Sequence, residues 1–130
     1  MSMNWVNYKG KRIIILDYTG MDKVAMLKQM RLYFKEIVNE TDVRTLSNFA
    51  DLLVPKEFRE RAKEIRLKNH DIKQSRTALI GINKYQKANV STYNFHTKIQ
   101  MQIFDSEKEA LDWLASDEQR SLNFLNNSRS

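Results

Sequence analysis

Cysteine is absent from this chain. That excludes disulfides and thiolate metal sites and points to a reducing, intracellular compartment, with the cytoplasm as the expected location. Glycine occurs three times, at positions 10, 20 and 81, too sparsely for a phosphate-cradling loop or a dinucleotide fingerprint. No serine stands between glycines, so there is no nucleophile elbow. The two histidines, His70 and His96, are far apart in the chain and neither has a neighbouring carboxylate set at metal-ligand spacing; no metal or cofactor is expected. The longest unbroken aliphatic run is Ile13–Leu16, far short of a membrane span. The opening residues Met-Ser-Met-Asn-Trp lack the apolar core of a signal peptide.

What is present is enough for one globular domain. Of 130 residues, 42% are hydrophobic, so a packed core is expected rather than disorder. The net charge of +6 is concentrated: residues 55–87 hold 10 basic and 4 acidic groups, against 8 and 6 in residues 1–54 and 4 and 6 in residues 88–130. Such a segment is either a salt-bridged, solvated helix surface or a basic face for an acidic partner. Aromatic residues do not interleave with it in any RNA-module pattern, so nucleic acid is not an expected partner.

The patterning predicts the order ββαβαβαβα. Trp5–Tyr8 and Lys11–Tyr18 form a hairpin about Lys9-Gly10, and Ile13–Leu16, apolar on both faces, is an interior strand. Asp22 caps a helix to about Asn39, with Val24, Leu27, Phe34, Ile37 and Val38 on one stripe. Val43–Phe49 is a third strand. Pro55 opens a helix to about Asn69 that buries Phe58, Ala62 and Ile65, turns Lys56, Arg59, Arg61, Lys63, Arg66 and Lys68 outward, and pairs Glu57 with Arg61 and Glu64 with Lys68. Thr77–Ile80 is a buried strand preceded by Arg76 and ending sharply at Gly81, where a third helix begins, Asn83 to about Tyr93. Ile99–Phe104 alternates as a half-exposed strand near an edge. Ser106-Glu107-Lys108-Glu109 is a capping box for a last helix burying Ala110, Trp113 and Leu114. Residues 1–116 thus make one α/β domain with a mixed, mostly parallel five-stranded sheet and four helices. Residues 117–130 form a polar tail, in which Leu122, Phe124 and Leu125 are the groups able to dock.

Few residues carry candidate chemistry. Asp17, near the C-terminal end of an interior strand, is either a functional carboxylate or an acceptor for backbone N–H groups around Thr19-Gly20. No second catalytic group stands beside it, so an enzyme is not expected. Parallel strands would bring Ser47, Asn48 and Asp51 together with Asn83, Lys84 and Lys87 at one sheet edge, as a binding surface or as ordinary loop and cap residues. With Arg59, Lys63 and Arg66 of the basic helix, Ser47, Asp51, Asn83, Lys84 and Lys87 are the candidate partner- or ligand-binding residues.

Several ordered segments resemble the bacterial SpoIIAA-like, STAS-type domains, in their stand-alone STAS/CRAL-TRIO-like branch. They are Tyr8-Lys9-Gly10-Lys11, Ile14–Gly20, Ala78–Ile82 with Lys84 and Lys87, and Phe104-Asp105-Ser106 with Glu109–Leu114. The resemblance spans about residues 3–115 and implies a β-α superhelix with a mixed sheet. It also implies protein–protein regulation without catalysis, sometimes with nucleotide or lipid binding. The phosphorylatable antagonists of that family share an Asp-Ser-x-Gly turn after the third strand; here the place reads Ala50–Pro55 without serine or threonine, so no phosphorylation switch is implied. The expected function is a regulatory module binding a protein, acidic by charge complementarity. The alternative is a carrier of a lipid or small apolar anion. A sheet face without helices would permit a homodimer.

Overall fold

The structure, a computed structural model, describes residues 2–69, 72–83, 86 and 100–116. Five strands lie in chain order across one sheet: β1 (Met3–Tyr8), β2 (Lys11–Asp17), β3 (Val43–Asn48), β4 (Gln74–Ile80) and β5 (Gln100–Ile103). β1 pairs antiparallel with β2, and β2 to β5 are parallel. The helices are α1 (Lys23–Ile37), α2 (Lys56–Lys68) and α3 (Glu107–Ala115). The expected helix from Asn83 to Tyr93 falls outside the described residues apart from Asn83 and Gln86, as do His70, His96 and the 117–130 tail.

The sheet separates two cores. On one face Ile14 and Leu16 of β2 and Leu79 of β4 meet Met26, Met30, Tyr33, Phe34 and Ile37 of α1 and Phe58 and Ala62 of α2. On the other, Ile13, Leu46, Ala78 and Ile80 meet Ala110, Trp113 and Leu114 of α3. Ile13 and Ile14 are both fully buried, as a run apolar on both faces requires.

Local signals set the element ends. Asp22 accepts a hydrogen bond from Ala25 N at 2.8 Å and starts α1; Ser106 accepts from Glu109 N at 3.2 Å and starts α3. Gly81 ends β4 at φ +67°, and a Cβ there would stand 2.6 Å from Ala50 N. Only glycine permits both the left-handed angle and this approach.

Three expectations shift. Val24 is 73% exposed, because at 100° per residue it lies about 140° around the helix from Ile37. The buried stripe runs instead through Met26, Met30, Tyr33 and Ile37. β4 begins at Gln74, not Thr77, so Arg76 lies inside the strand. Finally, Glu57 pairs with Lys23 of α1 at 2.7 Å rather than with Arg61, while Glu64 holds Lys68 as expected.

Candidate functional site

Between the sheet and the α1–α2 layer lies a cavity of about 110 Å³. Its floor is Leu16, Thr45, Ser47, Thr77, Leu79 and Met101, one or two side chains from each of β2 to β5. α1 contributes Met30, Tyr33 and Phe34; α2 contributes Phe58, Arg59, Ala62 and Arg66. Tyr18, Phe49, Val54, Gln74, Ile82 and Gln86 complete the lining. Tyr18 stacks on Phe49 at 4.8 Å, and Phe58 stands edge-on to both. Gln86 clasps Val54 like a peptide group: its Nε2 donates to Val54 O and its Oε1 accepts from Val54 N, each at 2.9 Å.

The polar groups of this lining are cationic or neutral; no aspartate or glutamate is among them. Arg66 Nε donates to Gln74 Oε1 at 2.6 Å, Gln74 Nε2 donates to Tyr33 Oη at 2.6 Å, and Tyr33 Oη lies 2.6 Å from Thr45 Oγ1. The guanidinium also sits 5.1 Å from the Phe34 ring centroid. Burial pushes Arg66 down to about 10, so it remains charged at neutral pH. Burial likewise raises the Tyr18 and Tyr33 phenols, which stay neutral donors. Buried Arg59 Nε and Thr77 Oγ1 have no hydrogen-bond partner among the described residues. Thr77 is only 3% exposed.

This placement reorganises the expected site residues. Ser47, expected near a surface turn, is buried and faces the cavity. Arg59 and Arg66, expected on the outer face of α2, are half-buried and line the cavity on either side of Ala62. Lys63 is exposed on α2, as expected. Asp51 and Asn83 lie in the two loops that meet at the C-terminal sheet edge, where Phe49 N donates to Ile80 O at 3.0 Å and Asp51 N to Gly81 O at 2.6 Å. The expected convergence of these loops is therefore present, held by backbone groups, with Ala50 and Asp51 both at positive φ. Lys84 and Lys87 lie outside the described residues. Asp17 accepts from Thr19 N at 2.9 Å and Thr19 Oγ1 at 2.5 Å, which is the turn-capping reading.

Sequence reasoning missed two buried arginines on the opposite face. Arg44 and Arg76 are register partners on β3 and β4. Arg44 donates to the carbonyls of Leu114 and Ser116, and Arg76 to those of Trp113 and Ser116. Both cations thus sit at the negative end of the α3 dipole. Their alternation with Leu46 and Ala78 was the available signal. Among the described residues no group of three His, Cys, Asp or Glu side chains is placed to hold a metal.

No protein-family model and no curated protein matches the chain. Among solved structures, it superposes on an uncharacterised DUF3478-family protein with a SpoIIAA-like fold from Shewanella loihica PV-4. The TM-score is 0.59 at 19% identity, over 86% of this chain and 91% of that one. The fold is SpoIIAA-like. The expected architecture, an α/β domain with a mixed five-stranded sheet, stands on this likeness and on the strand order. No helix among the described residues is long and apolar enough to cross a membrane.

Proposed function

We propose that this SpoIIAA-like domain is a non-enzymatic binding module whose internal cavity takes a small apolar anion, a carboxylate by preference. The observation that carries the reading is the pair of unpartnered polar groups, Arg59 Nε and Thr77 Oγ1, on a cavity that also holds Arg66 and no acidic side chain. A buried guanidinium N–H and a buried hydroxyl without partners are each unfavourable. A carboxylate would satisfy both while its apolar body meets Leu16, Phe58 and Leu79. The volume limits the ligand. Engineered apolar cavities of ~150 Å³ admit benzene, so about 110 Å³ encloses at most a short branched chain or part of a single ring and excludes the acyl chain of a lipid. Lack of cysteine supports a cytoplasmic setting for such a module.

Calorimetric titration with benzoate, phenylacetate and hexanoate, against benzyl alcohol as a neutral control, tests the reading. At a hundred times its Kd a ligand adds about 2.7 kcal/mol of stability, a rise of several degrees in Tm. The expected result is carboxylate binding that Arg59→Met abolishes. Equal binding of acid and alcohol, or carboxylate binding indifferent to Arg59, would end it.

A further inference from the structure

The outer surface of the α1–α2 layer carries a separate feature, independent of the cavity reading. A groove of about 460 Å³ runs between the two helices. Leu32 of α1, Val38 at its C-terminal cap, Ile65 of α2 and Ile72 beyond it give it an apolar lining, and Lys28, Arg31 and Lys35 stand along its α1 side. These three cations are exposed and have no ion-pair partner among the described residues. Elsewhere several surface cations are paired: Lys9 with Asp112, Arg12 with Glu40, Lys23 with Glu57, and Arg61 and Lys68 with Glu64. Glu36 of α1 and Glu40 just beyond it are drawn to the hairpin edge instead, where Glu36 accepts from Trp5 Nε1 and Glu40 pairs with Arg12.

Positions 28, 31 and 35 are neighbours at i, i+3 and i+7, so their like charges repel along one helix face. Nothing within the described residues offsets that repulsion. We propose that this groove docks an acidic amphipathic helix of a partner protein. Its apolar residues at i, i+3, i+4 and i+7 would fill the channel between α1 and α2, and its carboxylates would meet Lys28, Arg31 and Lys35. The surface is concave with an apolar floor, a shape that suits an inserted helix better than a flat lipid surface.

The test uses a synthetic helix with leucine at i, i+3, i+4 and i+7 and glutamate elsewhere, and a counterpart with lysine in place of glutamate. Binding to the intact protein is followed by fluorescence anisotropy. Saturable binding of the acidic peptide alone is expected, weakening steeply with added salt. The set Lys28→Glu, Arg31→Glu, Lys35→Glu should weaken it by about tenfold or more, while Lys63→Glu on the neighbouring helix leaves it unchanged. A neutral set with glutamine at the same three positions serves if charge reversal unfolds α1, and should weaken binding in the same direction. Three results would overturn the proposal: loss of affinity equal for Lys63→Glu, capture of phosphatidylserine vesicles in place of the peptide, or self-association abolished by the same variants.

Discussion

A threonine hydroxyl buried without a partner is unfavourable by about 1–3 kcal/mol, and Thr77 is in that position on the cavity floor. Thr77→Val keeps the shape and removes the hydroxyl. In urea denaturation it should stabilise the ligand-free protein by about 1 kcal/mol, and in titration it should weaken carboxylate binding. A destabilised variant would mean that Thr77 is already satisfied. Gly81 is the opposite case. Gly81→Ala places a Cβ 2.6 Å from Ala50 N at φ +67°, so the two loops at the sheet edge must part. The expected loss is about 2 kcal/mol or more, read from the same denaturation midpoint.

Asp112 sets a pH dependence at this scale too. Hydrogen bonds from Lys9, Tyr8 and Lys108 hold its carboxyl well below the usual range. A depressed folded-state value contributes stability above the unfolded value, about 3.9 for aspartate, and that stability is lost as pH falls through the folded value. Between pH 5 and pH 2 (about one unit above and two below that reference), Asp112→Asn should therefore lose less Tm than the native chain. Parallel acid melts of the two proteins check this.

At the scale of elements, α2 is a helix whose two cation sets do different work. Lys56, Arg61, Lys63 and Lys68 face solvent, while Arg59 and Arg66 bend their long stems inward beside Ala62. The buried Phe58 and Ala62 stripe, with Ile65 half-buried at its border, was legible as a 3.6-residue period, and so were the Asp22 and Ser106 caps and the Gly81 turn, because each depends on residues close in sequence. The inward arginines were not. A long amphipathic side chain at the border of a buried stripe can turn either way, and its direction depends on the space left by α1 and the sheet. Val24 failed for a related reason: apolar residues alone suggested one stripe, whereas Met26, Met30 and Tyr33 define another. α3 is locked by Arg44 and Arg76 of two adjacent strands. Arg76→Ala strips charge-assisted bonds to the carbonyls of Trp113 and Ser116, at about 1.5–3 kcal/mol each. Denaturation should show a loss of about 3 kcal/mol, with Trp113 fluorescence reporting release of α3. A variant as stable as the native chain would refute that lock.

At the scale of the molecule, the sheet divides a filled side from a hollow one. The α3 side is filled by Ile13, Leu46, Trp113 and Leu114. The α1–α2 side keeps a cavity inside and a groove outside, and Phe34 borders both. The mixed sheet was legible from strand–helix–strand alternation; the cavity was not, because it arises from residues on four strands and two helices that meet only after folding. The most direct test of the account is an NMR titration of the intact protein with benzoate, following the arginine Nε–H resonances. The account predicts saturable shifts at Arg59 and Arg66, absent with benzyl alcohol, while the surface arginines Arg12, Arg31 and Arg61 stay in place. Shifts spread evenly over the surface arginines, with Arg59 and Arg66 unmoved, would contradict it.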